Sequence, residues 1–198
     1  LLTDGMVDIS KSKAKNRESR QRILEKILPR LRELGVAVHT IALSKNADHG
    51  LMQELAQERL LISVQCQARA EGIFDLTVDY VKERKAFGKR ILDFQNTRFA
   101  LAAVKAELMA GRAFCDALIQ LRIDGKLDPV QASAGKLHHS ELLGRVVDQC
   151  LQLFGGYGYM EEYPIAQAYV DARVERIYAG TSEIMKEIIG RSLDADRA

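Results

Sequence analysis

The chain of 198 residues is long enough to bury a hydrophobic core in one ordinary domain or in two small ones. Its 47% hydrophobic and 28% charged residues argue against a disordered chain. The formal net charge of +2 is too small to indicate nucleic acid or an anionic membrane as a partner, and no apolar stretch approaches the length of a membrane span.

Residues 1–49 have the pattern of a small α/β fragment. Residues 1–5 predict the end of a buried strand, and an amphipathic helix follows that ends at Gly35. Residues 36–43 alternate and are rich in β-branched side chains, which predicts a second strand. This order predicts a parallel unit with a right-handed crossover. The sequence begins with Leu1 and not with methionine, so we expect a cut or a fragment boundary there. No charged and then apolar leader follows, so we expect no signal peptide.

The same fragment resembles the late part of a von Willebrand factor A domain. In that family the aspartate of a Thr-Asp-Gly turn helps to hold a divalent cation, and Asp4 matches that position. Asp4 and its neighbour Thr3 cannot by themselves fill a site of about six oxygen ligands. We therefore predict no metal site and expect Asp4 to cap a turn.

Residues 50–198 show helical patterns throughout. Predicted helices cover residues 51–84, 94–121, 129–154, 165–177 and 181–193. Asp124-Gly125 predicts the end of the second helix, and Asp128-Pro129 predicts an N-cap and a first-turn proline for the third. Long helices joined by short loops predict an antiparallel helical bundle, with no sheet between residues 51 and 154.

Apolar residues at helical spacing predict which faces of the first two helices are buried. They are Leu55, Ile62, Cys66, Ile73, Leu76 and Tyr80 in the first helix, and Phe99, Ala102, Leu108, Phe114 and Leu118 in the second.

The three cysteines, Cys66, Cys115 and Cys150, lie far apart in the sequence and form no pair with metal-ligand spacing. Each falls within a helix-like apolar pattern, so we expect buried, reduced thiols. Such cysteines suit a cytoplasmic protein. His138 and His139 are adjacent on a predicted helix, so they point in different directions and do not form a ligand pair one helical turn apart.

Three motifs carry most of the functional information. They are YVKERKAFGK at residues 80–89, LQLFGGYGY at residues 151–159 and YAGTSE at residues 178–183. Glycines let the backbone approach a flat or phosphorylated ligand, and helix N-termini suit anions. Taken alone, Gly155 and Gly156 could be a helix stop, Arg84 a basic residue at a helix end, and Glu58-Arg59 a solvated helix face.

In this order the motifs resemble the carboxy-terminal helical domain of the acyl-CoA dehydrogenases, which are FAD enzymes of fatty acid oxidation. The resemblance covers about residues 50–193. It implies an acyl-CoA substrate, whose α-proton is abstracted while the β-hydrogen leaves as hydride to the flavin. It also implies a homodimer or homotetramer, with electron-transfer flavoprotein as the electron acceptor.

The resemblance further implies which residue is the base. In most of the family the base precedes the Gly-Thr of the last motif, where this chain has Ala179, and alanine cannot accept a proton. In the long-chain and isovaleryl-type branches the base lies on the first helix in a Glu-Arg-Leu context, which Glu58 matches. Arg59 would orient the acyl-CoA, and Gly180 would lie close to the substrate carbonyl.

The other matched positions are implied to bind FAD: Arg84, Phe94, Gln95, Gln152, Phe154, Gly155, Gly156, Thr181 and Glu183. An arginine suits the FAD pyrophosphate because its planar fork pairs with two phosphate oxygens at once. In the family this arginine often comes from the neighbouring subunit. In the family an N-terminal helical domain and a middle β-domain precede this part. We therefore expect incomplete activity from the isolated chain, and a non-catalytic helical oligomerisation module with vestigial flavin-site residues is the alternative.

Overall fold

The computed structural model describes residues 49–195 and the side chains of residues 55–193. The predicted α/β fragment and its turn residue Asp4 lie outside the described residues. Both, together with the division of the chain into residues 1–49 and 50–198, stay predictions.

The described residues form five α-helices. They are α1 (His49–Glu83), α2 (Gln95–Ile123), α3 (Pro129–Phe154), α4 (Pro164–Val174) and α5 (Ser182–Ala195), with 3-10 turns at Ile91–Asp93 and Gly155–Tyr159. The prediction of a mainly α, bundled fold is confirmed. The largest error lies at the end of α4, which was predicted at Ile177 and is found at Val174.

α3 is the central helix of this bundle, since it packs against α1, α2, α4 and α5. α2 runs antiparallel to its two neighbours, so α1 and α3 lie side by side and run in the same direction. Arg59 of α1 contacts Ser133 near the start of α3, and Tyr80 contacts Phe154 at its end. The two ends of α3 are therefore the places where residues from α1 meet residues from later helices.

A short hairpin corrects the prediction that no sheet lies between residues 51 and 154. Strand β1 (Lys85–Ala86) pairs antiparallel with β2 (Lys89–Arg90). The residues between them, Phe87 and Gly88, have φ values of 52° and 80°. Two consecutive positive φ values match the right-handed twist of a two-residue hairpin. Helical periodicity alone could not reveal this tight turn.

The predicted inner faces are partly wrong. Leu55, Ile62, Cys66, Leu108 and Leu118 are buried as expected. The exceptions are Leu76, 38% exposed, Phe99, 63% exposed, and the exposed Ala102. The buried stripe of α2 instead runs along Leu101, Val104, Leu108, Gly111, Cys115 and Leu118. Spacing by three and four residues fits more than one helix face, and the aromatic ring of Phe99 favoured the wrong one.

The start of α3 confirms the predicted cap. The Asp128 carboxylate accepts a hydrogen bond from the Gln131 backbone N–H at 2.8 Å, and the Gln131 side chain accepts one from the Asp128 N–H at 3.1 Å. Each residue thus satisfies a backbone donor that the helix itself leaves without a partner.

We expect Asp128→Ala to lower the free energy of unfolding by about 0.5–2 kcal/mol, because one capping acceptor is lost. Urea denaturation measures this difference. Asp148→Ala, at an exposed position within the same helix, is the control, and it should change the free energy by no more than about 0.5 kcal/mol. Equal effects of the two substitutions would contradict a special role for the cap.

All three cysteines are buried and free, as predicted. Burial raises the pKa of the Cys66, Cys115 and Cys150 thiols, which makes them poor nucleophiles near neutral pH. Within residues 49–195 no helix is long and apolar enough to cross a membrane. The same part of the chain contains no cluster of three or more potential metal-ligating side chains.

Candidate active site

The predicted site residues gather at two places along the bundle. Glu58 and Arg59 lie in the first third of α1, whereas Arg84 follows the last residue of that helix. At a rise of 1.5 Å per residue, Glu58 and Arg84 are about 39 Å apart along the helix axis. We call the two places the Glu58 end and the Arg84 cleft.

The Arg84 cleft is a cavity of about 540 Å³ at the carboxyl ends of α1 and α3. Its lining residues are Tyr80, Arg84, Ala86, Ile91, Gln152, Leu153, Phe154, Gly155, Gly156, Tyr157 and Met160. Five residues that the resemblance assigns to FAD are among them: Arg84, Gln152, Phe154, Gly155 and Gly156. Sequence positions about 70 residues apart therefore meet in one concave surface.

Aromatic rings and glycines give this cleft its shape. The Tyr80 ring stacks on the buried Phe154 ring with centroids 4.0 Å apart. The Arg84 guanidinium lies over the Tyr157 ring, 4.7 Å from its centroid, in cation–π geometry. Gly155 has a φ of 60° and a ψ of −138°, a backbone conformation that essentially requires glycine. A Cβ atom at Gly155 or Gly156 would meet nothing within 4 Å, so the backbone there is open to a ligand.

Phe94 and Gln95 lie beside the hairpin and do not line the cleft. Phe94 is half-buried at the N-cap position of α2, where its ring meets the Phe87 ring edge-on at 6.4 Å. The Lys89 ammonium lies 4.1 Å from the centre of the Phe94 ring. Gln95, the first residue of α2, is exposed. These two predicted FAD contacts are therefore neighbours of each other, but they lie outside the cleft that Gln152 and Gly155 line.

At the Glu58 end, Glu58 is half-buried and Arg59 is only 2% exposed. The Arg59 guanidinium donates to the Ser133 hydroxyl at 3.2 Å, and that hydroxyl donates to the Pro129 carbonyl at 2.6 Å. Burial lowers the pKa of Arg59 to about 10, and the charge of Glu58 opposes this shift. These contacts fasten α1 to α3, so a direct contact between Arg59 and a substrate stays a prediction.

One helical turn further along α3, Lys136 is fully buried. Its ammonium donates to the carbonyl oxygen of Gly180 at 2.6 Å. Ala179 and Gly180 have φ values of 54° and 96° and form the turn that precedes α5. A Cβ atom at Gly180 would lie 2.5 Å from the Met185 methyl carbon, so only glycine fits without movement. We call these two residues the Ala179–Gly180 turn.

A buried carboxylate supports the same turn from its other side. Glu175 is 1% exposed and accepts hydrogen bonds from Arg69 at 2.8 Å, from the Cys66 thiol at 3.6 Å and from the Tyr178 hydroxyl. Burial and the hydrogen bond to Glu175 raise the pKa of Tyr178, so its hydroxyl remains a donor at neutral pH. The segment of α1 after Glu58 and the residues before Ala179 are thus joined through Glu175.

The last two predicted FAD contacts open α5. The Thr181 hydroxyl accepts a hydrogen bond from the Ile184 N–H at 3.4 Å, and Glu183 is exposed in the first turn. Hydrogen bonds from its own backbone N–H and from Thr181 lower the pKa of Glu183. These residues belong to the Glu58 end, because they directly follow the Ala179–Gly180 turn.

His138 and His139, the histidines whose side chains the structure describes, lie between α3 and α2 and line neither place. His139 is fully buried, and its two ring nitrogens contact the carbonyl oxygens of Gly135 at 2.8 Å and Gly111 at 3.0 Å. The His138 and His139 rings meet nearly at right angles, so the adjacent side chains do point in different directions. One contact of His139 lies within α3 and the other joins α3 to α2, so this side chain stabilises the packing of the helices.

Four residues of these two places were not predicted from the sequence: Ser133, Lys136 and Glu175 at the Glu58 end, and Tyr157 in the Arg84 cleft. Lys136 offered a signal, because a lysine occupies a position between Ser133 and Ser140 on the face of α3 that turns out to be buried. A charged residue on an inner face is rarely buried unless it has a partner. Glu175 offered no such signal, since it follows the end of a short helix.

The family model described as acyl-CoA dehydrogenase, C-terminal domain, matches residues 49–193. The chain belongs to the acyl-CoA dehydrogenase family. The suspected family is therefore confirmed, while the likeness of residues 1–49 to a von Willebrand factor A domain stays a prediction.

Relatives within this family share the fold and much of the sequence. The mitochondrial long-chain specific acyl-CoA dehydrogenase of Rattus norvegicus is 51% identical over 146 residues, which are 74% of this chain and 34% of that protein. The crystal structure of an acyl-CoA dehydrogenase from Geobacillus kaustophilus matches with a TM-score of 0.71 and 48% identity, over 73% of this chain and 38% of the other. A glutaryl-CoA dehydrogenase from Mycobacterium smegmatis in complex with FADH2 matches at 0.68 and 27%, over 72% and 37%.

The chain spans about a third of the length of the curated relatives it matches. The long-chain relative is named as a mitochondrial protein, so the predicted cytoplasmic location is not confirmed for this chain.

Proposed function

We propose that this chain forms the carboxy-terminal part of an FAD-dependent acyl-CoA dehydrogenase that introduces an α,β double bond into an acyl-CoA thioester. The observation that carries the proposal is the pair of contacts from α3, Arg59 to Ser133 and Lys136 to Gly180. They hold the helix segment with Glu58 and the turn with Ala179 at the same end of α3. The resemblance to the long-chain type of site implies a carboxylate in that helix segment, which is Glu58, and no carboxylate in the turn, where this chain has Ala179.

In this proposal Glu58 accepts the α-proton of the thioester. Only an ionised carboxylate can accept this proton, and the Arg59 guanidinium beside Glu58 carries the opposite charge. Arg59 itself keeps α1 in register with α3 through Ser133. The bound flavin would supply the acceptor for the β-hydrogen. The backbone of Gly180, whose conformation is fixed, would lie close to the thioester carbonyl.

The residues of the Arg84 cleft fit a dinucleotide. An exposed guanidinium suits phosphate oxygens, the Gly155–Gly156 backbone leaves open space, and the stacked pair of Tyr80 and Phe154 gives a flat wall. Arg84, Gln152, Phe154, Gly155 and Gly156 would hold one end of FAD, and Phe94 with Gln95 would lie beside it. Thr181 and Glu183 would serve a cofactor at the Glu58 end.

The separation of the two places supports an oligomer. Glu58 and Arg84 are about 39 Å apart along α1, too far for both to contact the same part of one cofactor. We therefore infer that the Arg84 cleft of one chain completes the site at the Glu58 end of another, in a homodimer or homotetramer. Acyl-CoA as substrate and electron-transfer flavoprotein as acceptor remain part of this proposal.

The flavin absorbance of the purified chain and its mass by light scattering test the proposal together. We expect bound FAD and a mass that is a multiple of the 22.1 kDa chain. A flavin-free protein that takes up no added FAD would contradict the proposal for this chain. A flavin-containing monomer at micromolar concentrations would contradict only the shared site.

Arg84→Lys gives a sharper test of the cleft. We expect the dissociation constant for FAD to rise about tenfold, because lysine cannot make the two parallel hydrogen bonds of a guanidinium, and tenfold corresponds to about 1.4 kcal/mol. Quenching of flavin fluorescence measures this constant. Arg122→Lys, at an exposed position in the last turn of α2, is the matched control and should leave the affinity unchanged. An unchanged affinity in Arg84→Lys would remove this residue from the site.

A second candidate function is a non-catalytic helical oligomerisation module. Exposed large apolar side chains favour it, among them Leu61 at 68%, Phe87 at 95% and Tyr159 at 91%. Exposed apolar side chains mark protein contacts where they form a contiguous patch. An oligomer that binds no FAD would support this alternative, whereas FAD binding would favour the enzyme.

A further inference from the structure

We propose that Lys136 is a positioning residue that holds the Ala179–Gly180 turn in its left-handed conformation and thereby orders the start of α5 for ligand binding. The part that concerns ligand binding rests on the proposed function. The part that concerns the turn rests on the geometry of the chain alone.

The Lys136 ammonium lies in a fully buried environment. A lysine is almost never fully buried without a partner, since its charge loses hydration. Lys136 is 0% exposed, and its ammonium reaches across from α3 to the Gly180 carbonyl at 2.6 Å. The carboxylates of Glu175 and Glu141 act on its charge favourably, while Arg59 opposes it. The buried charge is thus placed where it contacts the turn.

The Ala179–Gly180 turn has a left-handed backbone conformation. Ala179 carries a Cβ atom and still adopts a φ of 54°, which L-residues other than glycine seldom do, and Gly180 follows at 96°. Such a conformation persists only when the surrounding structure determines it. The carbonyl between Gly180 and Thr181 is the group that Lys136 binds, so the contact acts on the strained peptide.

Side-chain contacts hold the residues on either side of the turn. The Tyr178 hydroxyl is held by Glu175, and the Ser182 hydroxyl donates to Glu141 at 2.7 Å. The Ser182 N–H donates to the Arg176 carbonyl at 3.2 Å. With both neighbours anchored by side chains, the peptide held by Lys136 lies between two fixed points. Loss of the Lys136 contact would therefore make the middle of the turn more mobile, while α5 stays attached to the bundle.

Hydrogen exchange in Lys136→Met tests the turn directly. Methionine keeps the apolar stem and removes the ammonium, which leaves the Gly180 carbonyl without this donor. We expect the amides of residues 178–184 to exchange about tenfold faster or more, while those of α1 and the middle of α3 stay protected. Ser140→Ala, at a fully buried position one turn along the same helix whose hydroxyl donates to the Leu137 carbonyl, is the matched control and should leave the turn unchanged.

Two further measurements keep the proposal testable if Lys136→Met does not fold. Lys136→Arg retains a charged donor and should restore most of the protection in residues 178–184. In the unaltered chain, the Ser182 amide should exchange more slowly than the amides of residues 159–162. Equal exchange in these two segments would overturn the proposal, as would a turn in Lys136→Met that is as protected as in the unaltered chain.

FAD titration then distinguishes a failure of the proposed function from a failure of the positioning role of Lys136. If the unaltered chain binds FAD, we expect Lys136→Met to weaken binding at an unchanged melting temperature, and Lys136→Arg to recover it. Weaker binding that merely follows a lower melting temperature would overturn the positioning role. If the unaltered chain binds no FAD, the proposed function fails, and the exchange data alone decide whether Lys136 holds the turn.

Discussion

Glu58→Gln should slow the reduction of bound flavin by an acyl-CoA roughly a hundredfold or more, within the range for the loss of a general base. Glutamine keeps the size and hydrogen bonding of the side chain but cannot accept the α-proton. Ala179, the residue at the other possible position of the base, has no titratable group. Stopped-flow absorbance of the flavin, in the protein that contains this chain, measures the rate. The flavin content should not change, because glutamine keeps the shape and the hydrogen-bonding capacity of the Glu58 side chain.

Two variants serve as references for this experiment. Glu107→Gln alters a carboxylate that pairs with Arg145 on the surface, and it should leave the rate unchanged. Ala179→Glu added to Glu58→Gln should restore part of the rate, since it places a carboxylate in the turn opposite. Unimpaired reduction in Glu58→Gln would show that another group is the base and that the assignment to the long-chain type of site is wrong.

Leu142→Ala should lower the free energy of unfolding by about 2–5 kcal/mol, because it leaves a cavity in a close-packed core. Leu142 is 1% exposed and lies where α3 crosses α2. Its methyl group Cδ2 would lie 2.6 Å from a Cβ atom built at Gly111, so the two helices are in close contact there. This loss is a large fraction of the total stability of an ordinary domain, about 5–15 kcal/mol. Urea unfolding, followed by circular dichroism, measures it.

Leu61→Ala is the matched control, because it makes the same leucine-to-alanine change at an exposed position. Leu61 is 68% exposed on α1, so its truncation should change the free energy of unfolding by no more than about 0.5 kcal/mol. Comparable losses in the two variants would mean that the Leu61 surface is buried, as the oligomerisation proposals allow. Measuring the unfolding of Leu61→Ala at several protein concentrations tests whether an oligomer buries this surface, because stability that comes from association depends on concentration.

Local sequence patterns predicted the helices well. The apolar periodicity of residues 51–84 and the Asp128-Pro129 pair depend on neighbours within one or two helical turns, and they gave α1 and the start of α3. The same patterns failed for Phe99, because spacing alone does not say which helix face meets a neighbour. They also missed the β1–β2 hairpin, whose two-residue turn interrupts no helix and has no periodicity.

The motifs that pointed to the acyl-CoA dehydrogenase family were also recognisable from the sequence alone, since each is a short run of residues in a fixed order. The sequence did not reveal that these motifs lie at two separate ends of the bundle. That separation follows from the length of α1 and from its parallel alignment with α3, which place Glu58 and Arg84 at opposite ends of one helix.

The sequence by itself determined the helix segments, the cap of α3, the buried thiols and the family. Only the tertiary structure decided that Lys136 and Glu175 are buried and that both act on the Ala179–Gly180 turn. Lys136 meets Gly180 across 44 residues of sequence, and Cys66 meets Glu175 across 109. Periodicity and propensity describe interactions within one helix, whereas the partner of a buried charge is chosen by the packing of helices that are distant in sequence.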